Sequence, residues 1–179
     1  MKKILMGLVA AVTSLLMLQP ENALAHGPSR LKTDQSVVLN ATPEEVWAVV
    51  GTFDDAAWIP GTESVTAEGT EKGAIRQRKL AAGQTLSEEL LKLDPAKFAI
   101  STRLTEDNIA AIPATNYALH MTIKDEGGKA KVDLKGAFYR AFPQNDPPAD
   151  QNDDAAVAAI SALHQTYIDA LVERFGKVE

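Results

Sequence analysis

Arg76 and Glu88 form the sharpest chemical feature of this chain, an arginine and a glutamate spaced to face each other across two strands. A turn at Ala81-Ala82-Gly83 folds a strand over 73–80 back on one over 84–93, setting Arg76 opposite Glu88 and Arg78 beside Leu86. A second hairpin turns at Asp94-Pro95. Its better face carries Leu86, Glu88, Leu90 and Lys92 against Phe98, Ile100, Thr102 and Leu104. That face reads as inward, and the ion pair with it. A charge pair inside a protein is costly unless it is well hydrogen-bonded. At an apolar pocket it can anchor the polar group of a ligand. The same spacing equally suits a structural cross-strand ion pair, or one at a solvated rim.

The remaining candidate chemistry is sparse. A two-residue hairpin at Gly127-Gly128 sets Tyr117 against Phe138, Leu119 against Gly136, Met121 against Leu134 and Ile123 against Val132, an apolar face throughout. The opposite face carries Asn116, His120, Thr122, Asp133 and Lys135, so His120 reads as a surface histidine. His164 falls in the last helix beside its apolar stripe, where it reads as packing or partly exposed. Trp58, followed by Ile59-Pro60, suits a cavity mouth or a plain core position. Acids at Asp54-Asp55 and Asp153-Asp154 are explained by helix starts, where negative charge suits the dipole. No GxSxG, HExxH, GxGxxG or P-loop pattern is present. With no cysteine, thiolate metal sites, cysteine nucleophiles and covalent c-type haem are excluded. The expected ligand-binding set is Trp58, Arg76, Glu88, Ile100, Tyr117, Leu119, Phe138, Leu163 and Tyr167. No catalytic residue, metal or cofactor is assigned.

The elements that must position these residues are legible. Residues 33–39 open as a strand. Thr42-Pro43-Glu44-Glu45 then starts a helix with a cap, a proline at its first position and a capping box, and Gly51 ends it. A second short helical turn is expected from Asp54 to Trp58, stopping at Pro60-Gly61. Strand-like stretches follow at 63–68, 73–80, 84–93, 96–104, 116–124 and 131–139, with a loop over 106–113. Phe142 to Asp150 is a connector rich in proline and aspartate. A long helix over 153–175 carries Val157, Ile160, Leu163, Tyr167, Leu171 and Phe175 on one stripe, and Gly176 follows it. The expected architecture is α+β: a curved antiparallel sheet wrapped around a long C-terminal helix, with two short helices after the first strand and a cavity where sheet and helix do not close.

The amino terminus reads as a secretory leader over residues 1–25. Lys2 and Lys3 precede an apolar run from Ile4 to Leu18, and Ala23-Leu24-Ala25 supplies a cleavage pattern between Ala25 and His26. The run falls short of the roughly 20 residues needed to cross a bilayer. No later segment reads as a membrane span. Cleavage would leave 154 of the 179 residues as one domain, 26–179, in a periplasmic product. It would take the basic count from 18 to 16 and the acidic count from 24 to 23, a net charge of −7. That balance, with no basic stripe, argues against nucleic acid as a partner. His26 would become the new terminus, where amine and imidazole can chelate copper, but such a site needs a further histidine nearby.

Asn40-Ala41-Thr42-Pro43-Glu44-Glu45-Val46-Trp47, then Phe53-Asp54 and Trp58-Ile59-Pro60-Gly61, resembles the opening of the START-like polyketide cyclase/dehydrase and lipid-transport (SRPBCC) superfamily. Gly73-Ala74-Ile75-Arg76, Ser87-Glu88-Glu89-Leu90-Leu91, Asn116-Tyr117 and Gly136-Ala137-Phe138-Tyr139-Arg140 extend the resemblance over nearly all of 26–179. With His26-Gly27-Pro28 and the leader, the chain is most similar to the MxaD-type periplasmic proteins. The resemblance implies a helix-grip fold with a cavity. It also implies a role in periplasmic methanol oxidation, assisting a quinoprotein methanol dehydrogenase and its cytochrome c acceptor. One departure is Ile59, where the family often has histidine.

Three functions are expected to compete. The first is a non-enzymatic binding or accessory protein holding a small hydrophobic or amphipathic ligand. The second is a cyclase or dehydratase using Glu88 with Arg76 and Tyr117, which requires Glu88 to face the cavity with a raised carboxyl pKa. The third is an interaction protein whose acidic surface meets a basic redox partner.

Overall fold

The computed structural model describes residues 27–179. The expected leader, its cleavage point and His26 lie outside the described residues.

The chain runs β1 (Leu31–Leu39), α1 (Pro43–Val50), β2 (Thr62–Ala67), β3 (Ile75–Leu80), β4 (Thr85–Asp94), β5 (Ala99–Leu104), β6 (Ala114–Glu126), β7 (Lys129–Arg140) and α2 (Asp153–Phe175). All seven strands join one antiparallel sheet in the order β1-β7-β6-β5-β4-β3-β2, so the first strand pairs with the last. The long C-terminal helix α2 packs on one face of this sheet, over β1, β7 and β6.

Local signals fix the elements. The Thr42 hydroxyl accepts from the Glu45 amide at 3.3 Å while the Glu45 carboxylate accepts from the Thr42 amide at 2.8 Å, closing the capping box of α1. Gly51 caps α1 with its amide donating to the Trp47 carbonyl at 2.8 Å, and a Cβ there would lie 2.5 Å from the Trp47 ring. Asn152 caps α2 through the Ala155 amide at 2.8 Å.

One helix follows β1, not two. Residues 54–58 form isolated turns. The Asp55 side chain accepts from the Ala57 amide at 2.9 Å, and the Thr52 hydroxyl, with one hydrogen to donate, lies 3.1 Å from the carbonyls of both Val49 and Asp55. These local side-chain bonds offer the backbone an alternative to a helical ladder. Pro60 then bars any continuation.

Register follows the turns except at three slips, one of them between Thr62 and Ser64 where β2 pairs with β3. Gly127 and Gly128 both have positive φ, as a two-residue hairpin loop needs. Leu119 faces Gly136, Met121 faces Leu134 and Ile123 faces Val132 as expected. Tyr117 does not pair with Phe138, because the ladder slips between Thr115 and Ala118, where Asn116 adopts φ 51°. Both side chains remain buried in one cluster with Leu86, Leu104 and Ile160. The third slip, between Leu90 and Lys92, turns Lys92 out to solvent, correcting its expected inward place, and turns Leu93 toward the core instead.

The buried face of α2 is Ala156, Ile160, His164, Tyr167, Ile168 and Leu171. His164 thus stands within the stripe, fully buried, rather than beside it. By length and composition α2 could cross a membrane, contrary to the expectation that no segment after the leader would qualify. In this fold its apolar side is spent on the sheet, and Asp154, Asp169, Glu173 and Arg174 occupy its exposed side. It reads as a core helix.

Candidate functional site

The β3–β4 hairpin places Arg76 across from Glu88 and Arg78 across from Leu86. Alternation along the pleat sends Arg76, Arg78 and Glu88 to one face, inward, where they are only 4%, 2% and 6% exposed. One carboxylate oxygen serves both cations. Glu88 Oε2 accepts from Arg76 Nε at 2.7 Å and from Arg78 Nε at 3.3 Å. The remaining bonds tie Arg76 to the loop after α1 and Arg78 to the start of β2. Arg76 Nη1 donates to the Phe53 carbonyl at 3.0 Å and its guanidinium lies 4.8 Å from the Phe53 ring centre, while Arg78 Nη1 donates to the Thr62 hydroxyl at 3.0 Å.

The electrostatics are those of a fixed ionic cluster. Burial pushes the Glu88 carboxyl up, but Arg76 and Arg78 outweigh it and hold the group below its ordinary range. Burial likewise opposes the Arg78 charge, and Glu88 more than offsets it, so that pKa is raised.

A second buried polar set adjoins the first. The Tyr117 hydroxyl and His164 Nε2 are hydrogen-bonded at 2.9 Å. The His164 ring lies 6.3 Å from Tyr167, and the Tyr167 hydroxyl is next to the Arg78 guanidinium. Burial pushes His164 down to about 4, Tyr167 up to about 12 and Tyr117 well above its usual value, so all three are neutral at pH 7. His164 Nδ1 and the Thr33 hydroxyl are buried without a hydrogen-bond partner.

Where α2 leaves the sheet near the β3–β4 hairpin, a cavity of about 280 Å³ opens. Its wall includes Leu80, Leu86, Ala111, Ile112 and Leu163, and its only polar side chains are Arg78 and Tyr167. The expected site residues divide around it. Leu163 and Tyr167 line this cavity. Trp58, Arg76, Ile100 and Leu119 line a separate gap of about 20 Å³, enough for no more than a water. Glu88, Tyr117 and Phe138 line neither, being packed within the ionic and aromatic clusters. Trp58 also makes an edge contact with Tyr167, ring centres 5.7 Å apart.

Arg78, Leu86, Ile112 and His164 were not expected at the site. Arg78 carried a usable signal, because two positions along a strand share a face with Arg76. Ile112 carried none, since it comes from a loop that folds back over the hairpin. On the other sheet face, His120 sits among solvent-facing side chains, 2.6 Å from the Ser101 hydroxyl through Nδ1. Desolvation, with Lys92 and Lys135, lowers its pKa. It borders an open hollow of about 550 Å³ lined in part by Leu91, Ala118, Leu119 and Ala137. Among the described residues no three histidines or carboxylates gather as a metal would need.

Comparison with known proteins agrees with this architecture. A family model for polyketide cyclase / dehydrase and lipid transport matches residues 30–176. A search of curated proteins gives no significant match. Among solved structures, the protein XoxI from Bacillus cereus superposes with a TM-score of 0.65 at 23% identity, over 80% of this chain and 94% of that one. An aromatase/cyclase, Zhui, from Streptomyces gives 0.63 at 19% identity, over 82% and 93%. Truncated norcoclaurine synthase from Thalictrum flavum gives 0.58 at 12% identity, over 82% and 94%. At these identities the likeness is one of fold, and the family rests on the matching model, which spans most of the chain. The chain belongs to the polyketide cyclase / dehydrase and lipid transport family.

Proposed function

We propose that this protein binds a small, mostly apolar ligand in the cavity between α2 and the β3–β4 hairpin, and that it does so without catalysis. The observation that carries this reading is the wall of that cavity, apolar side chains closing on two polar groups, Arg78 and Tyr167. Such a wall desolvates an apolar body and fixes the orientation of one polar end. The neighbouring cluster supports binding over acid–base chemistry. Glu88 is held ionised by two guanidiniums and lines neither the cavity at Arg78 nor the gap at Trp58, so it is badly placed to give or take a proton.

The catalytic alternative is a cyclase or dehydratase using Glu88 with Arg76 and Tyr117. It would need Glu88 to gain access to substrate and to lose its ion pairs.

A narrower role also belongs to this proposal. The leader-like residues 1–25 and the MxaD-type motifs favour work in the periplasm as an accessory to a quinoprotein methanol dehydrogenase and its cytochrome c. Native mass spectrometry of the protein isolated from its own source tests the binding reading. An extra small mass released on denaturation is expected. A bare chain, still bare after exposure to a lipid extract of the same cells, would overturn it.

A further inference from the structure

The buried cluster does not balance its charge. Arg76 and Arg78 are both buried and share a single carboxylate, Glu88, so the cluster carries one positive charge in excess. Among the described residues no other acid pairs with either arginine, and the neighbouring Tyr117, Tyr167 and His164 are neutral. The two cations are not equivalent. Arg76 has the shorter bond to Glu88, 2.7 Å, together with a backbone carbonyl and an aromatic face. Arg78 has the longer bond, 3.3 Å, and it is Arg78 that stands on the cavity wall. The excess charge therefore sits where a ligand would meet it. An uncompensated charge away from water is expensive, and an anion in the cavity removes that cost while forming strong charge-assisted hydrogen bonds. The sign is local, since the chain as a whole carries a net charge of −6.

We propose that the cavity selects small monoanionic amphiphiles, a carboxylate on an apolar body, with the carboxylate on Arg78 and the Tyr167 hydroxyl and the body against Leu86, Ile112 and Leu163. This rests on the binding reading above and adds the charge of the ligand to it. The space limits the body. At about 30 Å³ per water, 280 Å³ is the room of about nine waters, which suits a short chain or a single ring system rather than a phospholipid.

Calorimetric titration with octanoate, 1-octanol and octylammonium, equal in chain and different in charge, tests it. Octanoate is expected to bind at least about tenfold more tightly than octanol, with octylammonium weakest. Arg78→Met is expected to abolish the gap between octanoate and octanol, with octanoate affinity falling at least about tenfold. This variant leaves the Arg76–Glu88 pair intact and internally neutral, which favours its folding. Ala111→Trp, which fills the cavity from its loop, is expected to weaken all three. Equal binding of octanoate and octanol by the unaltered protein would overturn the charge assignment and leave the cavity reading standing. Binding of all three unaffected by Ala111→Trp would overturn both.

Discussion

Replacing Glu88 with glutamine keeps the volume of the side chain and removes the one negative charge between two buried guanidiniums. In the native protein Glu88 Oε2 accepts from Arg76 at 2.7 Å and from Arg78 at 3.3 Å, and all three side chains are less than 10% exposed. The amide oxygen can still accept one of these bonds, so the loss is mainly of charge, and the cluster goes from one uncompensated positive charge to two. Removing one partner of a buried ion pair costs about 3–5 kcal/mol. For a domain of this size each kcal/mol moves the melting temperature by about 2–4 °C, so Glu88→Gln should lower it by roughly 6–20 °C. Arg78→Met goes the other way, because it leaves a balanced Arg76–Glu88 pair; its cost should stay under about 1 kcal/mol, or become a gain. Urea unfolding at pH 7, followed by circular dichroism, measures both. A Glu88→Gln cost below about 1 kcal/mol, or an Arg78→Met cost equal to it, would refute the claim that one carboxylate carries this cluster.

Other perturbations have readable outcomes. His164 is buried neutral with its pKa pushed down to about 4 from 6.5. The unfolded chain takes up that proton first, so stability is constant above pH 6.5 and falls by about 3 kcal/mol as pH drops toward 4. Denaturant midpoints measured between pH 7 and 5, above the range where carboxylates titrate, should fall for the native protein and stay flatter for His164→Gln. Gly136→Ala should destabilise by about 1–3 kcal/mol, since the new Cβ would lie 2.5 Å from the Thr33 hydroxyl and 3.1 Å from both His164 and Ile160. Thr33→Ala in the same chain should restore part of that loss, as thermal melts would show. Thr42→Ala removes the cap of α1 and should cost about 1 kcal/mol by the same assay, with no effect on binding.

Much of this fold was legible because its signals are local. The Thr42–Glu45 capping box, the Gly127-Gly128 turn and the alternation on β6 and β7 each specify one arrangement, and together they specify the sheet on which α2 lies. The Arg76–Glu88 pairing was legible for the same reason, as the turn at Ala81-Ala82-Gly83 sets a register with no slip in it. The failures lie where register breaks or distant parts meet. The bulge at Asn116 breaks the Tyr117–Phe138 pairing and the one at Leu91 turns Lys92 outward, and period-two counting runs straight through such positions. The stretch 54–58 has the composition of a helix start but satisfies its backbone through Thr52 and Asp55. The site depended on tertiary placement. Arg76 was the arginine singled out, yet Arg78 faces the cavity, and Ile112 arrives from a loop whose path over the hairpin no local pattern encodes. His164 was placed beside the stripe because histidine is polar, whereas a hydrogen bond to Tyr117 lets it occupy the centre.

The most direct test of the central claim is where a neutral ligand goes. Intermolecular nuclear Overhauser effects between 1-octanol and isotope-labelled protein would place it independently of charge. Contacts from the octanol chain to the methyl groups of Leu80, Ile112 and Leu163 are the predicted result. Contacts confined to the hollow on the other sheet face, at Leu91, Ala118 and Ala137, would contradict the account.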